Sequence, residues 1–575
     1  MSERNYDLLK SKFSEFFLPT LFTSVAGNIC VFVDSLLISF FLGAGNISAV
    51  LLATPLITFV NLIYWMIGIG GSVLCSVSKA EFDNVKSNYY FTISIGSLVV
   101  IGFLVAIIGT IFSAHIVNLL CVSQPDLSAQ VSRFYNVLLW GMPFLCYMMS
   151  ISYFIRVDGN PKLPFRAILL ANIINLCCDV IFMHFMGMGI AGAALATDIG
   201  YICGAVFISM YFFKKERTLE FIRVRIRPIL YYLKDMARAG FSSSSTHLNT
   251  TIKLFVMNYL LGIYLGKSGL VAYGVCYNSL FILTMFLIGT SQTMSPIVSV
   301  YFKEGDYSGV NYVVRRSLKI VLISSFVLAA LFIIYPKALL LLYSVNDPSD
   351  IPVVFNAVRI YAISYMGTAV TFLYTFYAQA IQKRHLATII SFIEGCLVPV
   401  SAAFVLSYFF GGDGIWFAFT VAEAVTIIFL VVFSKVYARK TGGEYSGFFI
   451  NKHNDDRKVF EYTVRGDVGE AVGLARDVQS YLSGRKSAAL VGLAIEDMLV
   501  NIIDINEKVD AIDVIVRNND DDILVSIVDT GIGFNPVVEN ENLEFDNISV
   551  LNKIAKEIDY SRVLGLNSTV IIIDD

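Results

Sequence analysis

Within the apolar run 22–42, FTSVAGNICVFVDSLLISFFL, one carboxylate stands alone at Asp34. A charge at mid-membrane depth costs about 3 kcal/mol even on lenient insertion scales. Either a part in cation coupling or substrate binding repays that cost, or the carboxyl stays protonated or hydrogen-bonded inside a helix bundle without a further role. Asn175 and Asp179, in NIINLCCDVIF, are four residues apart and therefore one turn apart on a single helix face. Thr197 follows in GIAGAALATDIG, among Gly and Ala residues that permit close helix approach. These side chains offer carboxylate, amide and hydroxyl oxygens without sulfur or imidazole, a set suited to a hard cation or a proton. Asp198, Glu394 and Glu423 are three further acids in or near apolar runs, each a candidate proton or substrate group.

The elements that must position these residues are membrane spans. Of 575 residues, 56% are hydrophobic and 15% charged, and the mean hydropathy is +0.69, which excludes a water-soluble protein for most of the chain. Twelve runs reach the roughly 20 residues needed to cross a bilayer: 14–41, 50–78, 89–113, 128–155, 165–186, 190–213, 240–265, 270–301, 311–335, 352–381, 386–409 and 414–437. Lys and Arg gather in alternate loops, which by the positive-inside rule places both termini in the cytoplasm. The start of the chain has mixed charges and no small-residue cleavage site, so no removable signal peptide is expected. All nine cysteines lie between Cys30 and Cys396 without metal-ligand spacing and read as small buried hydrophobes. The expected class is an all-α polytopic membrane protein with twelve transmembrane helices in two six-helix lobes, followed by a cytosolic α/β domain.

The lobes are expected at 1–215 and 239–440, joined by a basic cytoplasmic linker at 216–238. A displacement of 223 residues lays Leu42-Gly43 on Leu265-Gly266, and one of 225 lays Gly189-Ile190 on Gly414-Ile415 and Asp198 on Glu423. Such a parallel repeat points to a transporter with a central cavity between two lobes. The same displacements carry Asp34 to Met257, and Asn175, Asp179 and Thr197 to Val400, Phe404 and Ala422, so the oxygen cluster belongs to the first lobe alone.

After a polar linker at 441–457 the text changes character. Residues 451–575 hold 12 Lys/Arg against 24 Asp/Glu, and the hydrophobic period shifts from 3.6 to 2. Strand 458–464, helices near 468–482 and 486–505, and alternating strands predict an α/β layered domain over 458–575. In GLAIEDMLVNII, Asp497 and Asn501 are a turn apart, a carboxylate to orient water and an amide to hold Mg²⁺. In SIVDTGIGFNP, Asp529 is followed by Gly531 and Gly533, whose lack of side chains lets backbone approach a ligand. The near-P-loop GIYLGKS at 262–268 is one residue short and lacks strand–helix context. With no complete Walker A motif, an ATP-driven pump of the ABC type is disfavoured.

Residues 14–437 resemble the multidrug and toxic compound extrusion (MATE) family in FVDSLLISFFLGAGNISAV, RVDGNPKLPF, NIINLCCDVIF with GIAGAALAT, GTSQTMSPIVSVYFKEGD and YAQAIQK. The resemblance implies a secondary antiporter of the cell membrane that expels amphipathic or cationic compounds in exchange for Na⁺ or H⁺. By the same resemblance Asp34, Asn175, Asp179 and Thr197 form the cation site. The tail resembles the GHKL ATPase superfamily, nearest its anti-sigma-factor serine kinase branch. That likeness implies Mg-ATP binding, with Asp529 accepting from the adenine amine, Asn501 holding the metal, Gly531 and Gly533 against the nucleotide, and Asp497 as a catalytic carboxylate. The tail departs from the pattern at 545–552, FDNISVLN, where a second glycine-rich segment is expected and no glycine occurs. Two other readings stay open: a membrane sensor whose tail phosphorylates or sequesters a cytosolic regulatory protein, and a flippase for a lipid-linked substrate. No nucleic-acid partner is expected.

Overall fold

The structure is a computed structural model that describes all residues except 1–3, 81–82, 159, 161, 215–216, 225, 304, 444, 453–458, 507–510, 520–521, 533–553, 564–565 and 575. Gly533 and the segment 545–552 therefore lie outside the described residues. The chain forms two compact units, one made of Leu21–Gly289 with Ile320–Phe429, the other of Met1–Thr20, Thr290–Lys319 and Leu430–Asp575.

In chain order the helices are α1 (Asp7–Leu42), α2 (Gly45–Tyr64), α3 (Gly70–Ala80), α4 (Asn84–Ile111), α5 (Ser113–Leu120), α6 (Ser128–Val157), α7 (Lys162–Asp179) and α8 (Ile190–Ile208). They continue with α9 (Ile226–Lys303), α10 (Tyr307–Ile334), α11 (Lys337–Leu342), α12 (Asp350–Ile363), α13 (Tyr365–Ala380), α14 (Arg384–Phe392) and α15 (Val398–Lys440). Among the described residues nine helices are long and apolar enough to cross a membrane, or ten if α12 and α13 count as one span. The chain is thus a multi-pass, mostly helical membrane protein.

Two of the candidate spans, Ser244–Phe302 and Arg384–Lys440, run to 59 and 57 residues. A straight helix of that length would measure about 90 Å, three times a hydrocarbon core of about 30 Å. Each is broken inside by a glycine with left-handed backbone, Gly266 at φ 63° and Gly411 at φ 61°, a conformation that costs a side-chain-bearing residue. Sequence alone puts an uninterrupted span at 352–381, but α12 and α13 meet at Ser364 with a bend of 44°. At the bend the Ser364 hydroxyl donates to the Tyr361 carbonyl at 2.7 Å.

In the larger unit α6 packs on α4 and α8, and α7 packs on α8. The approach is tight because glycines face backbone: a Cβ on Gly102 would meet the Pro143 Cα at 2.6 Å, and one on Gly200 would meet the Ala171 carbonyl at 2.7 Å. Buried polar bonds tie distant helices, among them Ser24 to the Met285 carbonyl at 2.8 Å and Asn258 to the Leu51 carbonyl at 3.0 Å, and a partly buried one runs from Thr251 to Thr58 at 2.8 Å. Among the described residues three π-helical turns interrupt the α-helices, at Trp65–Ile69, Val180–Phe185 and Ile393–Leu397. Such turns recur at functional positions because they re-aim side chains.

The smaller unit contains a short ribbon of β1 (Tyr445–Ser446) and β2 (Asn451–Lys452) and then a layered fold. Its strands are β3 (Val459–Val464), β4 (Ile512–Asn518), β5 (Asp522–Asp529), β6 (Glu557–Val563) and β7 (Leu566–Asp574), with helices α16 (Val468–Tyr481) and α17 (Ala488–Ile505) between β3 and β4. The sheet order is β3-β4-β5-β7-β6 and every pairing is antiparallel. Alternating Val and Ile of β4, β5 and β7 bury one sheet face against Leu474, Val478, Val491, Ile495 and Leu499 of the two helices. Each such side chain contributes about 1.5–3 kcal/mol on burial.

Candidate functional site

The residues singled out in the first lobe come together. Asp34 on α1 and Asp179, the last residue of α7, lie within each other's field, their carboxyl groups interacting directly. Asp179 is fully buried. Both of its oxygens, and Oδ1 of Asp34, lack a donor among the described residues. One turn back on α7, Asn175 donates to the Thr197 hydroxyl on α8 at 3.3 Å, and that hydroxyl donates to the Ala193 carbonyl at 3.0 Å. A π-helical turn begins immediately after Asp179, at Val180. Two carboxyls side by side away from water repel unless a proton or a cation is shared between them. Oxygens without donors are free to serve as its ligands. Two neighbours are not evident from sequence: Asn172, which hydrogen-bonds Cys30 one turn from Asp34, and Tyr201, which lies in the field of both Asp34 and Asp198.

Asp198 stands apart from this cluster in its packing. It is buried against α6, where a Cβ on Gly141 would collide with its Oδ1. Its repeat mate Glu423 is held the same way, a Cβ on Gly367 colliding with the Glu423 Cβ. The displacement that carries Asp198 to Glu423 carries Gly141 to within one residue of Gly367, so each lobe pairs an acid with a facing glycine. Glu423 also accepts from Thr368 at 2.7 Å and Thr371 at 2.8 Å. Glu394, on the π-helical turn Ile393–Leu397, shares its electrostatic neighbourhood with Glu423 and with Lys253. Lys253 is absent from the residues singled out by sequence, although a single lysine inside an apolar run is as conspicuous as Asp34.

In the tail, Asp497 and Asn501 lie on α17, and Asp529 ends β5, the strand α17 packs beside. Asp529 is buried, and its Oδ1 accepts from the Asn567 amide at 2.8 Å and the Gly531 N–H at 2.6 Å. Burial raises its pKa against those two bonds. Burial, with Glu496 beside it, also raises that of Asp497. Asn506 accepts from the Ile532 N–H at 2.7 Å and crowds Gly531, where a Cβ would meet its amide at 2.5 Å. Gly531 therefore keeps a tight turn around Asp529, while Gly533 lies outside the described residues.

One buried charged group in the smaller unit is not singled out by sequence. Arg4 pairs with Asp513 of β4 at 2.8 Å, with Asp306 at 2.8 Å and with Glu461 of β3 at 3.9 Å, its side chain 1% exposed. Thr463 donates to the other Asp513 oxygen at 2.8 Å, and Asp306 caps α10 by accepting from the Gly309 N–H at 2.7 Å. Burial would lower the Arg4 pKa, but Asp306, Asp513 and Glu461 together raise it.

Comparison with known proteins follows from this geometry. The family model MatE matches residues 19–181 and 245–405. The multidrug export protein MepA of Staphylococcus haemolyticus is 24% identical over 422 residues, covering 73% of this chain and 91% of that protein. MepA of Staphylococcus aureus is 21% identical over 412 residues, covering 71% and 90%. Among solved structures, the inward-facing conformation of a multidrug resistance MATE family transporter of the MOP superfamily superposes with a TM-score of 0.65 at 18% identity, covering 73% of this chain and 96% of that one. The outward-facing conformation of a multidrug resistance MATE family transporter of the same superfamily gives 0.58 at 17% identity, covering 77% and 100%. At these identities the superpositions speak to the fold.

Proposed function

Because the chain belongs to the MatE family, we propose that it is a cation-coupled antiporter that exports amphipathic, cationic compounds across the cell membrane in exchange for Na⁺ or H⁺. The observation that carries this reading is the Asp34–Asp179 pair, two facing carboxyls with donorless oxygens beside an Asn175–Thr197 bond. On this proposal the coupling cation or proton enters between Asp34 and Asp179 and relieves their repulsion. Asn175 and Thr197 complete its oxygen shell. Relief of repulsion draws α1 toward α7 and α8, and that repacking favours release of the exported compound as the lobes rock about the site. Counting the 59- and 57-residue helices as hairpins turned at Gly266 and Gly411, and α12 with α13 as one span, gives twelve spans, an even number that keeps both termini on one side, which the positive-inside rule assigns to the cytoplasm. The proposed lobes are 1–215 and 239–440, either side of the 216–238 linker.

In the second lobe two acids, Glu394 and Glu423, share one neighbourhood with a single lysine, Lys253. That imbalance suits one further cation, the charged end of a substrate or a proton. Asp198 is assigned a packing role through Gly141.

For the tail over 458–575 we propose a GHKL-like nucleotide-binding module that regulates transport. Asn501 would hold the metal of Mg-ATP, Asp529 would accept from the adenine amine, and Gly531 with Gly533 would border the nucleotide. The donor set fits: Oδ2 of Asp529 accepts no bond among the described residues while Oδ1 is held by Asn567 and Gly531. Asp497 would orient water. Efflux of a fluorescent cationic dye from cells or vesicles tests the transport reading. Loss of efflux in Asp34→Asn supports it, and efflux as fast as wild type sinks it.

A further inference from the structure

The smaller unit contains a cavity of about 580 Å³ lined by Tyr6, Ser308, Asn311, Tyr312, Arg315, Arg316 and Lys319. Among the described residues its charge is one-sided, with three cations and no carboxylate in the lining. Arg315 and Lys319 are four residues apart on α10 and so project from one face of the helix, both exposed. Arg316 is half-buried, its guanidinium 5.1 Å from the centre of the Phe13 ring and donating to the Ser14 hydroxyl at 3.0 Å. A guanidinium has five N–H donors, so among the described residues most of those on Arg316 remain available to an anion. Beside the cations Tyr312, one turn before Arg316 on α10, stacks on Tyr6 with ring centres 4.7 Å apart and planes 3° from parallel.

Three acids of the same unit, Asp306, Glu461 and Asp513, are gathered around Arg4. The same contacts shape the rim. Asn311 accepts from Asn451 at 2.6 Å, and Ser308 hydrogen-bonds Glu461. The positive-inside rule explains why residues here are basic. It does not require that three of them share one concavity with a parallel tyrosine pair.

We infer that this cavity is a binding site for a phosphate-bearing anion, the charged oxygens on Arg315, Arg316 and Lys319 and the less polar part of the ligand along the Tyr6–Tyr312 wall. Guanidinium groups match phosphate in fork geometry, and a lysine adds a point charge. Two sources present that chemistry at a cytoplasmic face, an anionic phospholipid headgroup and a soluble polyphosphate. The site is independent of the transport reading.

The test uses purified full-length protein and two probes. In the lipid arm, thermal unfolding is compared in nanodiscs of phosphatidylcholine alone and with one quarter phosphatidylglycerol. In the soluble arm, inorganic pyrophosphate is titrated in detergent at low salt. The variants are Arg315→Gln/Arg316→Gln/Lys319→Gln and, as a control for general charge, Lys214→Gln/Arg217→Gln/Lys234→Gln. Tyr312→Ala is a further variant that keeps all three cations. The expected result is a stabilisation by phosphatidylglycerol, or a pyrophosphate affinity, that falls at least tenfold in the pocket variant, falls severalfold in Tyr312→Ala and is unchanged in the control. An effect in the lipid arm alone identifies a headgroup, and one in the soluble arm alone identifies a metabolite. If wild type and pocket variant respond alike in both arms, or the control loses as much as the pocket variant, the inference is overturned.

Discussion

Arg4 donates two hydrogen bonds, of 2.9 and 2.8 Å, to a single oxygen of Asp513, a residue 509 positions further along the chain. With Asp306 on the same guanidinium, one side chain joins the start of the chain, the turn before α10 and the second strand of the tail sheet. A buried ion cluster of this kind adds little stability over an apolar substitute, but removing one partner strands the others.

Arg4→Ala is therefore predicted to destabilise the smaller unit by about 3–5 kcal/mol, the penalty of unpaired buried charge. Limited proteolysis and thermal unfolding of the full chain measure it. Asp513→Asn, which keeps shape and a hydrogen-bonding oxygen, should cost less than Arg4→Ala.

The pH dependence has a defined sign. Burial raises the pKa of Asp513 against the opposing pull of Arg4, and that of Glu461 likewise, with Asp306 adding to the rise. A carboxyl whose folded pKa lies above its unfolded value contributes stability that is full below the unfolded pKa and is lost as pH rises through the folded one. Unfolding followed from about pH 4, the ordinary carboxylate range, upward should show stability from these two groups falling. Asp513→Asn should flatten that slope, and an unchanged slope would contradict the assignment.

The repeated acid–glycine contact predicts paired effects. Gly141→Ala and Gly367→Ala each force a Cβ into Asp198 or Glu423 as the structure stands. Overpacking of this sort costs about 1–3 kcal/mol. Each variant should lower the yield of monodisperse protein in size-exclusion chromatography, whereas Gly96→Ala, where a Cβ meets nothing within 4 Å, should not.

For the tail, Asn501→Ala should weaken Mg-ATP binding to the full chain at least tenfold, and Asp529→Asn should shift preference away from adenine nucleotides. Calorimetric titration reads both. Wild-type protein that takes up no Mg-ATP would remove the nucleotide reading.

Sequence makes some of this molecule readable and hides the rest for physical reasons. Asp34, Asn175, Asp179 and Thr197 stand out because oxygen-bearing side chains in apolar runs are costly, and the structure draws them together. Lys253 obeys the same logic but is easily passed over, because its partners, Glu394 and Glu423, lie on other helices far along the chain. The tail strands and helices follow from a change of hydrophobic period. Arg4 has no such signal: in a short stretch of mixed charge nothing local distinguishes a buried arginine, since its partners are set by tertiary packing alone. Sequence reads 266–269 and 410–413 as loops, but each turn rests on one glycine's backbone, so helix continues on both sides.

The measurement that bears most directly on the central claim is dye transport by the purified protein in liposomes with a Na⁺ gradient or a pH gradient imposed separately. Wild type should export under at least one gradient, with Asp34→Asn and Asp179→Asn each reducing the rate at least tenfold and Asn175→Ala less. Transport that is indifferent to both gradients, or that survives loss of both carboxylates, would contradict the account.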